Sequence, residues 1–136
     1  VAKRSSANFD IMISLRLEHA LILDALDTCA DAVGHTFQER LAELKPLVLK
    51  HLKRKEAFYE DLAQRCDRRG DTEGAQLVRI SETNMQVQTN AVVNFFENLH
   101  KPINGVHQAF RTISDVLRAR LATEEKKLFP LFEKKL

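Results

Sequence analysis

Apolar residues recur along most of the chain in steps of three and four, the spacing that lines one face of an α-helix. After a polar lead-in at Val1–Ala7, the first face starts at Phe9 and reads Ile11, Leu15, His19, Ile22, Leu26, Cys29 and Val33, with Gly34 placed to end it. The second runs from near Thr36 to about Arg69, before Gly70, and reads Leu41, Leu44, Val48, His51, Lys55, Phe58, Leu62 and Cys66. Pro46 falls inside that pattern and predicts a kink or the effective start of the helix. The third follows a cap at Asp71 or Thr72 and reads Leu77, Ile80, Asn84, Val87, Ala91, Phe95 and Leu99, stopping at His100-Lys101-Pro102. The fourth begins around Asn104 and reads Val106, Phe110, Ile113, Leu117, Arg120 with Leu121, Glu124, Leu128 and Leu131, and Pro130 should bend or end it. Four helices of about 25–33 residues with short connections predict an all-α, antiparallel up-down-up-down four-helix bundle, with residues 1–136 as one domain.

Each face is interrupted by polar residues near one level of the bundle. They are His19, His51, Lys55, Asn84 or Gln88, Arg120 and Glu124. A carboxylate on an apolar helix face must find a cation, a metal or a set of donors, and bundle cores are where such residues build metal and cofactor sites.

Composition agrees with long helices: 44% of the 136 residues are apolar, with only 4 Gly and 3 Pro. A net charge of +2 does not by itself argue for nucleic acid. The basic runs Lys50–Lys55 and Arg65–Arg69, with Lys126-Lys127 and Lys134-Lys135, are interleaved with Asp and Glu and read as solvated helix faces. No apolar run approaches membrane-spanning length and no signal-peptide pattern opens the chain, so the expectation is a cytoplasmic protein with no membrane and no nucleic-acid partner. The start at Val1 rather than Met suits a piece trimmed from something longer. With His19 and His51 level, Cys29 and Cys66 fall about 37 Å apart, too far for a disulfide, and both read as buried free thiols.

Three stretches carry a resemblance. They are Leu15-Arg16-Leu17-Glu18-His19, Lys50-His51-Leu52-Lys53-Arg54-Lys55-Glu56-Ala57-Phe58-Tyr59, and the tail Arg120-Leu121-Ala122-Thr123-Glu124-Glu125-Lys126-Lys127-Leu128-Phe129-Pro130. Over nearly the whole chain the order and spacing resemble hemerythrin-like domains of the HHE cation-binding type. That family's pattern is a lone His on the first helix, His-x-x-x-Glu on the second, His on the third, and His-x-x-x-Glu before Leu-Phe-Pro on the fourth. The resemblance implies a di-iron site, from which this sequence departs. His19, His51 and Glu124 match ligand positions. Lys55 stands at the second-helix carboxylate, Arg120 at the fourth-helix His, and no His occurs between His51 and His100.

The main expectation is therefore a non-enzymatic regulatory or interaction domain that has lost its di-iron site and holds no cofactor. Lys55, Arg120 and Asn84 form a polar network where ligands stood, and an unidentified protein partner is expected. The excess positive charge needs an inward acid (Glu18, Glu82 or Glu125), a Lys55 that reaches out to water, or a small anionic ligand. One alternative is a residual site, His19, His51 and Glu124, holding iron or zinc and sensing oxygen or nitric oxide as the family resemblance implies. Another is a histidine phosphotransfer module acting through His51. His35, His100 and His107 read as surface residues near helix ends.

Overall fold

A computed structural model describes residues 2–99 and 105–134, with side chains from residue 11 onward. Among them there are four long helices and no strand: α1 (Ala2–Asp31), α2 (Gly34–Arg68), α3 (Thr72–Glu97) and α4 (Val106–Thr123). α4 passes through a π-helical turn, Glu124–Leu128, into a last α-helical stretch, α5 (Phe129–Lys134). α1 packs on α2 and α4, and α3 packs on the same two neighbours. The links are short, and cross-helix pairs such as Ser14 with Arg54, Asp27 with Arg118 and Arg16 with Glu133 run in opposite senses along neighbouring helices. The antiparallel bundle expected from the periodicity is the one that forms.

Several boundaries differ from the sequence expectation. The polar lead-in from Ala2 joins α1. Gly34 opens α2 instead of closing α1, the chain turning through Ala32 and Val33. Pro46 does not start α2, which is continuous from Gly34 and carries the proline within it. It lies on the exposed side, where the carbonyl it leaves unbonded four residues back is open to water. Gly70 ends α2 as expected: its φ of +68° lets Asp71 N–H turn back to the Cys66 carbonyl at 2.9 Å. Asp71 caps α3, its carboxylate accepting from the Gly74 amide at 2.9 Å. The stop at His100-Lys101-Pro102, the start near Asn104 and the place of His100 lie outside the described residues.

The core side of α2 is the expected one, with Phe37, Leu52 and Tyr59 added. On α1 the buried face runs from Met12 through Cys29, while Ile11 and Val33 at its ends are exposed. On α3 the expected stripe is the wrong one. Leu77, Ile80, Asn84, Val87 and Ala91 are exposed, and the buried side is Gly74, Ala75, Val78, Ser81, Met85 and Val92, the two stripes merging at Phe95.

The buried residues fall into two apolar clusters. One gathers Leu26, Cys29, Phe37, Leu41, Phe96 and Phe110 at the end where α1 turns into α2. The other gathers Met12, Phe58, Leu62, Cys66, Val78 and Phe132 at the end where α2 turns into α3. Between them lies a layer of buried polar side chains: His19, His51, Lys55, Ser81, Arg120 and Glu124.

Asp71→Ala should lower stability by about 1 kcal/mol through loss of the α3 cap, read from urea unfolding followed by circular dichroism.

Candidate metal centre

The polar layer is assembled by helical spacing. On α2, His51, Lys55 and Tyr59 follow at intervals of four and share one face. On α4, Arg120 and Glu124 do the same. Glu124 is the first residue of the π turn, and the wide ladder closes with the Phe129 amide on the Glu124 carbonyl. Pro130 explains the turn: it has no N–H, and its ring crowds the carbonyl of Lys126. The extra residue shifts the inward face, so Leu128, Phe129 and Phe132 are buried where Leu131 is only half-buried. Such turns occur often at functional sites, and here it begins on the buried carboxylate.

Glu124 is 1% exposed, and its two oxygens face different surroundings. Oε2 accepts from the Tyr59 hydroxyl at 2.6 Å and lies 2.9 Å from Lys55 Nζ and 3.4 Å from Arg120 Nε. Arg120 also donates to the Tyr59 hydroxyl and, at 2.9 Å, to the Ser81 carbonyl. Burial would raise the Glu124 carboxyl, but the contacts with His19, Lys55 and Tyr59 outweigh it and hold the pKa at about 2. Burial likewise lowers the Lys55 ammonium, against the pull of Glu124, and raises the Tyr59 hydroxyl well above its ordinary value.

Oε1 faces the histidines. It lies 3.1 Å from His19 Nε2, without the alignment of a hydrogen bond. His19 Nδ1 is 3.1 Å from Glu125 Oε1, and His51 Nδ1 is 2.8 Å from Glu18 Oε1. A carboxylate can only accept, so His51 Nδ1 carries a proton and its Nε2 presents a lone pair inward, whereas His19 stands between two carboxylates, Glu125 at Nδ1 and Glu124 at Nε2. Glu18 is itself held by Arg54, which also donates to Ser14 at 2.9 Å. The rings stand edge to face with centroids 4.8 Å apart, and Phe129 stacks on His19. His51 is kept neutral, its pKa pushed down to about 4 by burial first and by Lys55 second.

His19 Nε2, His51 Nε2 and Glu124 Oε1 are thus buried with no hydrogen-bond partner. One ligand atom from each of these residues lies within 4.8 Å of the others, a spread slightly wider than the ~3–4 Å that ligands ~2.1 Å from one ion keep. The arrangement fits one metal ion on the Oε1 side. It does not fit a second ion on the Oε2 side, where an ammonium and a guanidinium already hold the oxygen and would repel a divalent cation.

The model of the hemerythrin HHE cation-binding domain matches residues 11–132. The chain belongs to this family. No curated protein and no solved structure matches it.

Within this hemerythrin domain, the structure brings together His19, His51, Lys55, Arg120 and Glu124, and leaves out Asn84, which is exposed. Asn84 belongs to the outer stripe of α3, and Ser81 takes its level through a backbone carbonyl. Gln88 is half-buried beside Lys55 and Arg120, lining a cavity of about 10 Å³ that would hold about one water. Lys55 does not reach water, being 1% exposed. Both core cations are engaged with one oxygen of Glu124. His51 at 2% exposure cannot serve phosphotransfer, which needs an open imidazole. Glu18 and Glu125 turn toward the histidines, while Glu82 makes no contact with the layer among those found. Cys29 and Cys66 are both buried. His35 is exposed, and His107 is exposed yet stacks on Phe37 at 4.0 Å. Tyr59 escaped the sequence reading, although its signal was present: it is the chain's single tyrosine, one turn beyond Lys55 on the same face.

Glu124→Gln should cost about 3–5 kcal/mol, because it strands two buried cations, whereas Lys55→Met and Arg120→Met combined with Glu124→Leu should recover most of that loss. Thermal and urea unfolding of the metal-free protein would measure both; a single variant within ~1 kcal/mol of the parent would show that the pairing is not what holds this layer.

Proposed function

We propose that this hemerythrin domain holds one metal ion, on His19, His51 and Glu124, and that Lys55 and Arg120 take the place of a second. The observation that carries this reading is the pair of imidazoles: each has its Nδ1 beside a carboxylate and its Nε2 buried without an aligned hydrogen bond, next to Glu124 Oε1. That is the carboxylate–histidine arrangement by which proteins orient metal ligands. Two imidazoles and a carboxylate suit Fe(II) or Zn(II) and leave coordination positions open. When bound, such an ion would supply a Lewis-acidic centre at those open positions.

The remaining roles belong to the chain itself. Glu18 holds the His51 tautomer, and Glu125 lies at His19 Nδ1. Lys55, Tyr59 and Arg120 occupy one oxygen of Glu124 and leave the other for the ion. Phe129 covers the outer face of His19. The role that goes with this reading is a non-enzymatic binding or regulatory one. Sensing of a diatomic gas through bound iron follows from the family and depends on the ion being there. No described helix is long and apolar enough to cross a membrane.

One observation favours a second reading, a metal-free ion-paired core in a regulatory or interaction domain. Lys55 and Arg120 face Glu124, Arg54 faces Glu18 and His19 stands between Glu124 and Glu125, so every charged group of the layer has an opposite charge or an imidazole beside it without an ion.

Mass spectrometry of protein from iron-supplemented cells, with an absorption spectrum, decides between them. The expected result is about one ion per chain, lost in His19→Ala and in His51→Ala, with no near-ultraviolet oxo-bridge band. A pair of ions would overturn the replacement by Lys55 and Arg120. A cooperatively folded protein without metal would establish the ion-paired core instead.

A further inference from the structure

One stripe of α3 finds no partner inside the bundle. Leu77, Ile80, Asn84, Val87 and Ala91 are exposed, Ile80 by 54% and Val87 by 67%. They follow in steps of three, four, three and four, the heptad spacing of a coiled-coil seam. The C-terminal part of the stripe is uncharged: from Thr83 to Phe96 the sequence has no Asp, Glu, Lys or Arg, in a chain that is 29% charged, while Glu73, Arg79 and Glu82 lie nearer Leu77 and Ile80.

The uncharged surface continues onto α4. Arg118 reaches Asp27 on α1 and Arg120 reaches Ser81 on α3. Helical spacing then places Thr112, Val116, Ala119 and Thr123 along the α4 edge toward α3 and solvent. Val116 lines the crevice against Gln88 and Thr89 of α3. The exposed Ile13, Leu17 and Leu21 of α1 differ, because Arg16, Glu18 and Asp24 interleave with them.

Depletion of charge marks the centre of protein–protein interfaces. A partner recognised by charge, such as a nucleic acid or an anionic membrane, would find no countercharge along the C-terminal part of the stripe. The face does complement itself. Leu77 and Ile80 on one side of Asn84, and Val87 and Ala91 on the other, can pack against their own copies, and the Asn84 amide both donates and accepts. Asn84 is also the midpoint of the stripe, so a twofold-related α3 crossing in either direction meets it at Asn84.

We propose that the α3/α4 face is the surface through which two copies of this domain associate, with α3 crossing its copy at Asn84. Leu77 to Ala91 spans about 21 Å of helix. A face of that length and two helices wide would bury roughly 400–500 Å² per copy, the low end for a specific pair, so the dimer is weak and concentration-dependent.

Sedimentation equilibrium of the full chain from about 10 μM to 1 mM covers the range where such an interface assembles. A monomer–dimer equilibrium is expected. Val87→Glu and Ile80→Glu, both at exposed positions, should weaken it by at least about tenfold through like-charge opposition across the twofold. Circular dichroism and melting would confirm that the bundle is intact. Asn84→Cys should give an oxidised dimer cross-linked at that position, the native thiols being buried. A chain that stays monomeric throughout overturns the proposal. So does a dimer whose constant changes by less than about twofold in both glutamate variants, and the absence of a cross-link overturns the crossing at Asn84.

Discussion

The Glu124 carboxylate is the constraint on which the bundle depends. A buried carboxylate cannot be left unmet, and this one draws a residue from every other helix: His19 from α1, Lys55 and Tyr59 from α2, and Ser81 of α3 through Arg120. It sets the relative height of the four helices, because each has one position at which its side chain or carbonyl can reach the layer. The apolar clusters above and below contribute most of the buried surface but are less particular about register, since aliphatic packing tolerates shifts that hydrogen-bond geometry does not.

The family's architecture survives here with its chemistry divided. On one side of Glu124, imidazoles backed by carboxylates keep the form of a ligand set. On the other, fixed cations do electrostatically what an ion would do, neutralising the carboxylate without exchange with solvent. A tethered ammonium cannot be lost to a chelator, and it cannot bind a diatomic molecule. On the proposed reading, the replacement trades reactivity for permanence at half of the site.

Much of this was legible in the sequence, and what was not has physical reasons. The faces of α1, α2 and α4 could be read because their buried residues are large and their outer residues charged. α3 misled because both of its stripes are helical in period and the exposed one, Leu77, Ile80 and Val87, is the more aliphatic; the buried one relies on Ala75 and Ser81, which periodicity weighs lightly. The level of the polar layer was visible in His19, His51, Lys55, Arg120 and Glu124, since polar residues on apolar faces stand out. The division of labour between the two oxygens of Glu124 was not, because it depends on rotamers. The contribution of Ser81 was hidden for another reason: a main-chain carbonyl has no identity in the sequence. Pro130 announced a disturbance near the end of α4, but the choice of a widened turn over a kink follows from packing Phe129 and Phe132 inward.

The polar layer also leaves each apolar cluster with one cysteine, Cys29 at one end and Cys66 at the other. The two thiols are therefore separate clocks. The rate at which each is alkylated reports how often its own end of the bundle opens, and any difference between the rates measures how far the layer insulates the fluctuations of one end from those of the other.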